Sequence, residues 1–270
     1  MAFAQIGSLR LYYERHGPTH GTPVVLLMGL GVDGSGWALQ LGALAPVYPC
    51  IVPDNRGVGR SDAPDVPYTI RDMAGDVLGV LDALAVPRAH LLGLSMGGAI
   101  AQEVTLVAPT RVASLQLHAT WAGGDPYLQA VIAGARLARR HLEPEAFLQV
   151  FLPWVFSAET YARRPDLIAS VTRQTLANPY PQSLQGYLRQ AEAVAGHDAR
   201  ARLPAIRCPT LVTVGTEDLL TPPRLGRELA ALIPGARFAV IEGVGHGVNW
   251  EAPEAFNRRC LEFLASVDSP

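Results

Sequence analysis

The chain has 270 residues, 49% of them hydrophobic, which is enough for one sizeable core carrying an insertion. A net charge of −2 and a pI near 6.4 leave no basic footprint for nucleic acid or for an acidic membrane surface. All 22 basic residues are arginine, so neither Schiff-base chemistry on a lysine amine nor a Gly-Lys-Ser/Thr phosphate loop can form.

The N-terminal segment lacks a basic stretch followed by an apolar one, and no apolar run approaches the ~18 residues of a membrane span, so a soluble, cytoplasmic protein is expected. Period-two alternation over residues 2–6 and 9–15, broken by Gly7-Ser8, predicts a hairpin. Short apolar runs then follow at 24–28, 50–53, 89–94, 112–118, 210–215 and 237–241, with helical patterns between most of them. The clearest helix spans 70–84, with Ile70, Met73, Val77, Val80, Leu81 and Leu84 on one face and Thr69 as its cap. This alternation predicts an α/β fold with a doubly wound, mostly parallel sheet of eight strands. It breaks over residues 121–203, which read as a helical cap inserted between core segments 1–120 and 204–270. Arg136, Arg139 and Arg140, and again Arg163 and Arg164, read as solvated helix faces. Cys50, Cys208 and Cys260 are odd in number, far apart and set among apolar residues, which predicts buried thiols rather than disulfides or metal ligands.

Gly93-Leu94-Ser95-Met96-Gly97 follows one apolar run directly and opens a helical pattern. Gly-x-Ser-x-Gly between strand and helix is the form of a nucleophile elbow, which lifts the serine Oγ clear of the sheet. The N–H of Met96, at the helix start, is then free for an oxyanion, and the N–H of Leu30, in Gly29-Leu30-Gly31 after an earlier strand, is the candidate second donor. A serine hydroxyl needs a base, and the base needs a third group to fix its tautomer. His246 lies just past the last expected strand and Asp218 just past the one before, at the sheet edge where Ser95 emerges. Glu217, Asp125 and Asp198 are weaker candidates for the acid, and a surface position is the plain alternative for His16, His20, His90, His141 and His197. His118, Trp121, Trp154 and Phe156, with Gly29, are expected to line the substrate pocket; Trp37, Phe147, Phe151 and Tyr180 are further sources of apolar surface.

These residues resemble the α/β-hydrolase superfamily. Asp54-Asn55-Arg56-Gly57-Val58-Gly59-Arg60-Ser61 is similar to that family's Asp-x-Arg-Gly-x-Gly-x-Ser loop, and Gly245-His246 to its terminal histidine motif. One departure is Met28-Gly29, where many relatives have His-Gly. The resemblance is strongest to small carboxylesterases and lactonases of the enol-lactonase and acyl-homoserine lactone types. It implies hydrolysis of a small-molecule ester or lactone through an acyl-serine, with Ser95, Asp218 and His246 as the triad and neither metal nor cofactor. Two readings compete. Gly29-Leu30-Gly31-Val32-Asp33-Gly34, with Asp54 twenty residues on, also fits a dinucleotide fingerprint and hence a nicotinamide-dependent oxidoreductase. A non-catalytic ligand receptor on the same fold is the other.

Overall fold

Five runs of four to seven mainly apolar residues, buried at every position, can be strands only if both of their faces are covered, and this requirement shapes the molecule. In the computed structural model, which describes residues 2–268, the elements in chain order are β1 (Ala2–Ile6), β2 (Leu9–His16), β3 (Val24–Leu27), α1 (Ala38–Leu44), β4 (Cys50–Pro53), α2 (Ile70–Ala83), β5 (Ala89–Leu94), α3 (Met96–Val107) and β6 (Val112–His118). Five helices follow without an intervening strand: α4 (Pro126–His141), α5 (Pro144–Val155), α6 (Ala158–Arg163), α7 (Pro165–Leu176) and α8 (Leu184–Gly196). The chain then returns through β7 (Thr210–Gly215), α9 (Pro223–Leu232), β8 (Arg237–Ile241), α10 (Val248–Glu251) and α11 (Pro253–Asp268).

The eight strands form one sheet in the order β1-β2-β4-β3-β5-β6-β7-β8. The hairpin joins antiparallel through β2, and β4, β3 and β5 to β8 run parallel. Side chains alternate between two cores. Val25, Leu27 and Leu91 face the layer of α2, α3 and α9, whereas Val24, Leu26 and Leu92 face the layer of α1 and α11. Helix α2 starts on a capping box: Thr69 Oγ1 accepts from the Asp72 N–H (3.1 Å) and the Asp72 carboxylate accepts from the Thr69 N–H (2.8 Å). Because β3 and β5 to β8 are parallel, the loops leaving their carboxyl ends gather on one edge, and that edge carries Gly29, Ser95, Asp218 and His246. No helix among the described residues is long and apolar enough to cross a membrane.

Candidate active site

Ser95 sits between β5 and α3 with φ 55° and ψ −120°, a left-handed conformation that costs a non-glycine residue about 1–3 kcal/mol. Surrounding contacts hold it there. Its N–H donates to the His118 carbonyl (2.9 Å), and its own carbonyl accepts from the Gly98 N–H (2.9 Å) and the Thr120 hydroxyl (2.8 Å). Gly97 must lack a side chain because a Cβ there would overlap the Leu27 carbonyl. At Gly29 a Cβ would lie 3.2 Å from Ser95 Cβ and 3.7 Å from Ser95 Oγ, so the strand end carrying Leu30 abuts the serine. Asn55 fixes that strand end by donating to the Met28 carbonyl (3.0 Å). Met96 buries its side chain in the core and offers the site only its backbone N–H, which as the first of the helix has no partner within it.

Asp218 and His246 meet on the loops after β7 and β8. His246 Nδ1 lies 3.0 Å from Asp218 Oδ2, with the residues 6% and 2% exposed. The carboxylate is held on every side: Oδ1 accepts from the N–H groups of Leu220 (2.9 Å) and Thr221 (2.7 Å), and Oδ2 accepts from the Thr221 hydroxyl (2.8 Å). Thr221 Oγ1 is also 3.1 Å from His246 Nδ1. None of the sequence motifs above includes Thr221; its Asp-x-x-Thr spacing from Asp218 is the signal that marks it. A carboxylate at Nδ1 favours the tautomer with its proton there, which leaves Nε2 as the free base. Ser95 and His246 line the same cavity. The Ser95 hydroxyl makes no hydrogen bond among the described residues.

That cavity measures about 290 Å³, and α4, α5, α7 and α8 supply its far wall. Leu30, Trp121, Phe147, Leu152, Val171 and Trp250 make the lining mainly apolar. Glu251 anchors the histidine loop: its carboxylate accepts from the Gly245 N–H (2.7 Å), the Ser157 N–H (2.9 Å) and hydroxyl (2.8 Å), and the Thr160 hydroxyl. On the opposite side Gln190 of α8 accepts from the Gly31 N–H (3.1 Å) and donates to the Arg56 carbonyl (2.7 Å).

Several expectations need correction. His118 does not line the cavity: it points toward α11, its ring 4.5 Å from that of Phe256 and Nε2 3.7 Å from Cys260 Sγ, and burial lowers its pKa to about 3. Trp154 faces a separate apolar groove between α4 and α5, beside Tyr127. On α5, Leu148, Leu152 and Val155 repeat on the cavity side, and Trp154 is one helical step off that stripe. Phe156 stacks on Trp250, ring centres 6.0 Å apart, and backs Gly247 rather than touching the cavity. Trp37 is buried against Phe256, whereas Gly29, Trp121, Phe147, Phe151 and Tyr180 do line the space. His90 and His197 are buried, not surface residues, and Arg139 is half-buried at the cavity. Glu217 is exposed, Asp125 pairs with Arg224 and Asp198 with Arg200, so each of these acids is occupied elsewhere or turned to solvent. Asp54 is also committed: its oxygens accept from the Gly34 N–H (2.8 Å) and the Arg60 N–H (2.9 Å), and Gly34 opens a 3₁₀ turn (Gly34–Trp37) instead of a phosphate-binding helix.

A family model for the alpha/beta hydrolase fold matches residues 22–253. Over 268 residues the chain is 34% identical to a protein called putative carbamate hydrolase RutD from Azorhizobium caulinodans, covering 99% of this chain and 100% of that one. An enol-lactonase from Burkholderia xenovorans LB400 has a similar structure, with a TM-score of 0.89, 34% identity, and coverage of 98% of this chain and 100% of that one. Est816, described as an N-acyl homoserine lactone degrading enzyme, gives a TM-score of 0.82 at 31% identity, with coverage of 97% and 100%.

Proposed function

The chain belongs to the α/β-hydrolase family, and on that premise we propose that it is a serine hydrolase of carboxylic esters or lactones, working through a covalent acyl–Ser95 intermediate. The observation that carries this reading is the Asp218–His246 hydrogen bond beside the cavity into which the strained Ser95 turn opens. Ser95 Oγ attacks the carbonyl as His246 Nε2 takes its proton, and Asp218 stabilises the imidazolium. The N–H groups of Leu30 and Met96 bind the oxyanion in both tetrahedral intermediates. His246 then protonates the departing alkoxide and later deprotonates the water that releases the acid. Written so, the reaction needs neither metal nor cofactor.

Residues 121–203 serve as a cap that shapes the substrate space in this reading. A largely apolar cavity of about 290 Å³, at the small end for ligand pockets, suits a short acyl chain or small ring. Lactone and linear ester present the same carbonyl to Ser95, whereas a carbamate, the group named for the RutD relative, presents one flanked by nitrogen as well as oxygen. The test is hydrolysis of p-nitrophenyl butyrate, an acyl-homoserine lactone, an enol-lactone and a simple carbamate by the parent and by Ser95→Ala. Loss of about 10⁴-fold or more in kcat for whichever is turned over is the expected result. Retention of most activity would end the proposal, and tight binding with no turnover of any substrate would favour a receptor instead.

A further inference from the structure

Helices α4 and α5 leave between them a second apolar space, of about 430 Å³, beside the catalytic cavity. Ala130, Gly134 and Ala138 recur every fourth residue along α4, so that face carries little side chain and the groove stays open over about 12 Å. Val150 and Trp154 of α5 form its other side, and Val150 is 52% exposed. No charged side chain lines the groove among the described residues, and the Tyr127 hydroxyl at its end is engaged by the Leu219 carbonyl (2.7 Å). Phe147 and Phe151 line both the groove and the catalytic cavity, so their stacked rings, centres 5.4 Å and planes 12° apart, are the partition between the two spaces. The two rings are held unequally. Phe147 is buried, meets Tyr187 edge-on (5.4 Å) and lies 5.7 Å from the Arg139 guanidinium carbon. Phe151 is half-buried, and Phe147 is its one aromatic partner among the described residues. Pro153 lies inside α5 two residues further on; lacking an N–H, it leaves the Gln149 carbonyl without its helical donor and loosens the turn that carries Phe151.

An apolar groove open to water is unfavourable, and an apolar occupant gains about fourfold in affinity for each methylene it buries there. The occupant must be uncharged, to suit the lining, and narrow enough to pass where one phenyl ring swings aside. A linear alkyl chain meets both conditions. The closed cavity holds a short acyl group, and a longer one held at Ser95 reaches the Phe147–Phe151 wall. Building on the acyl–Ser95 reading, we infer that the groove between α4 and α5 is a second apolar subsite for the alkyl tail of a longer ester or lactone, with Phe151 as the gate between it and the catalytic cavity. Trp154, turned away from the cavity, then takes part in recognition by covering that tail.

The experiment takes the ratio of kcat/KM for p-nitrophenyl decanoate to that for p-nitrophenyl butyrate. Because each ratio is formed within one protein, a partly unfolded variant lowers both terms alike. Gly134→Phe fills the groove: a Cβ at that position meets nothing within 4 Å, and replacing a glycine inside a helix favours folding. It should lower the ratio about 4- to 60-fold, the loss for one to three methylenes denied the groove. Phe151→Ala removes the gate and should raise the ratio about 3- to 10-fold. Gly134→Phe added to Phe151→Ala should cancel that rise, which separates passage into the groove from mere enlargement of the cavity. A ratio that Gly134→Phe lowers by less than about threefold in either background, or that Phe151→Ala fails to raise, overturns the inference. Crystals of Ser95→Ala grown with decanol carrying bromine on its terminal carbon separate this inference from the catalytic one. Bromine located by anomalous scattering between α4 and α5, beside Trp154, supports the subsite even if no ester is cleaved. Bromine confined to the catalytic cavity, or absent from the protein, overturns it even if esters are.

Discussion

Replacing Glu251 with glutamine changes one atom in a side chain that joins the His246 loop to the end of α5. Four donors converge on this carboxylate, which is 5% exposed: the Gly245 N–H on Oε1, and the Ser157 N–H, Ser157 hydroxyl and Thr160 hydroxyl on Oε2. Glutamine can present its carbonyl oxygen to only one of the two sides. With the amide nitrogen at the Oε2 position it confronts three donors; with it at the Oε1 position it confronts only the Gly245 N–H. The second arrangement therefore wins, at the loss of one charge-assisted hydrogen bond worth about 1.5–3 kcal/mol. For 270 residues the unfolding entropy is about 0.6 kcal/mol/K, so Tm should fall by about 3–5 °C. The unsatisfied N–H adjoins His246, and on the proposed mechanism kcat should drop about tenfold through misplacement of the base, with KM less affected. Thermal melts followed by circular dichroism, with steady-state kinetics on p-nitrophenyl butyrate, read both effects. A variant melting within about 1 °C of the parent, with kcat intact, would refute the reasoning.

Gln190→Leu should release the loop that carries Leu30, because it removes the acceptor of the Gly31 N–H and the donor to the Arg56 carbonyl; kcat/KM is expected to fall about 10- to 100-fold, and unaltered kinetics would contradict this role. Stability should depend on pH through His118 and His197, whose pKa values burial lowers to about 3 and about 4 against an unfolded value near 6.5. Between those values the unfolded chain binds protons that the folded one refuses. The contribution is thus complete above about pH 6.5 and is lost as pH falls toward about 4, at about 1.4 kcal/mol per pH unit for each histidine. Urea unfolding at several pH values in that window measures the slope, and a flat profile would count against buried neutral imidazoles.

The strands at 50–53, 89–94, 112–118 and 210–215 were legible because a strand covered on both faces must be mainly apolar, and few other elements are. The elbow was legible for a related reason: backbone occupies the space beside Gly97, so the requirement is written at that position itself. Side-chain direction was not. His118 and Ser95 belong to neighbouring chain turns, yet the pleat sends His118 toward α11, away from the cavity. Trp154 and Leu152 differ by two positions on α5 and face different spaces. Arg136 and Arg139 look alike in the chain, and only packing reveals that Glu192, distant in sequence, satisfies one and not the other. Gln190 and Glu251 bind backbone groups of Gly31, Arg56, Gly245 and Ser157, contacts that no residue type announces.

The central claim is that acyl groups pass through Ser95, and the intermediate itself can be sought. Enzyme mixed with p-nitrophenyl butyrate, quenched in acid during the first turnover and digested, is examined by mass spectrometry for a butyryl group on the peptide that contains Ser95. The account expects that adduct on Ser95, appearing with the burst of nitrophenol and absent from Ser95→Ala. Rapid nitrophenol release by the parent with no acyl group on Ser95, or with the acyl group on another side chain, would contradict it.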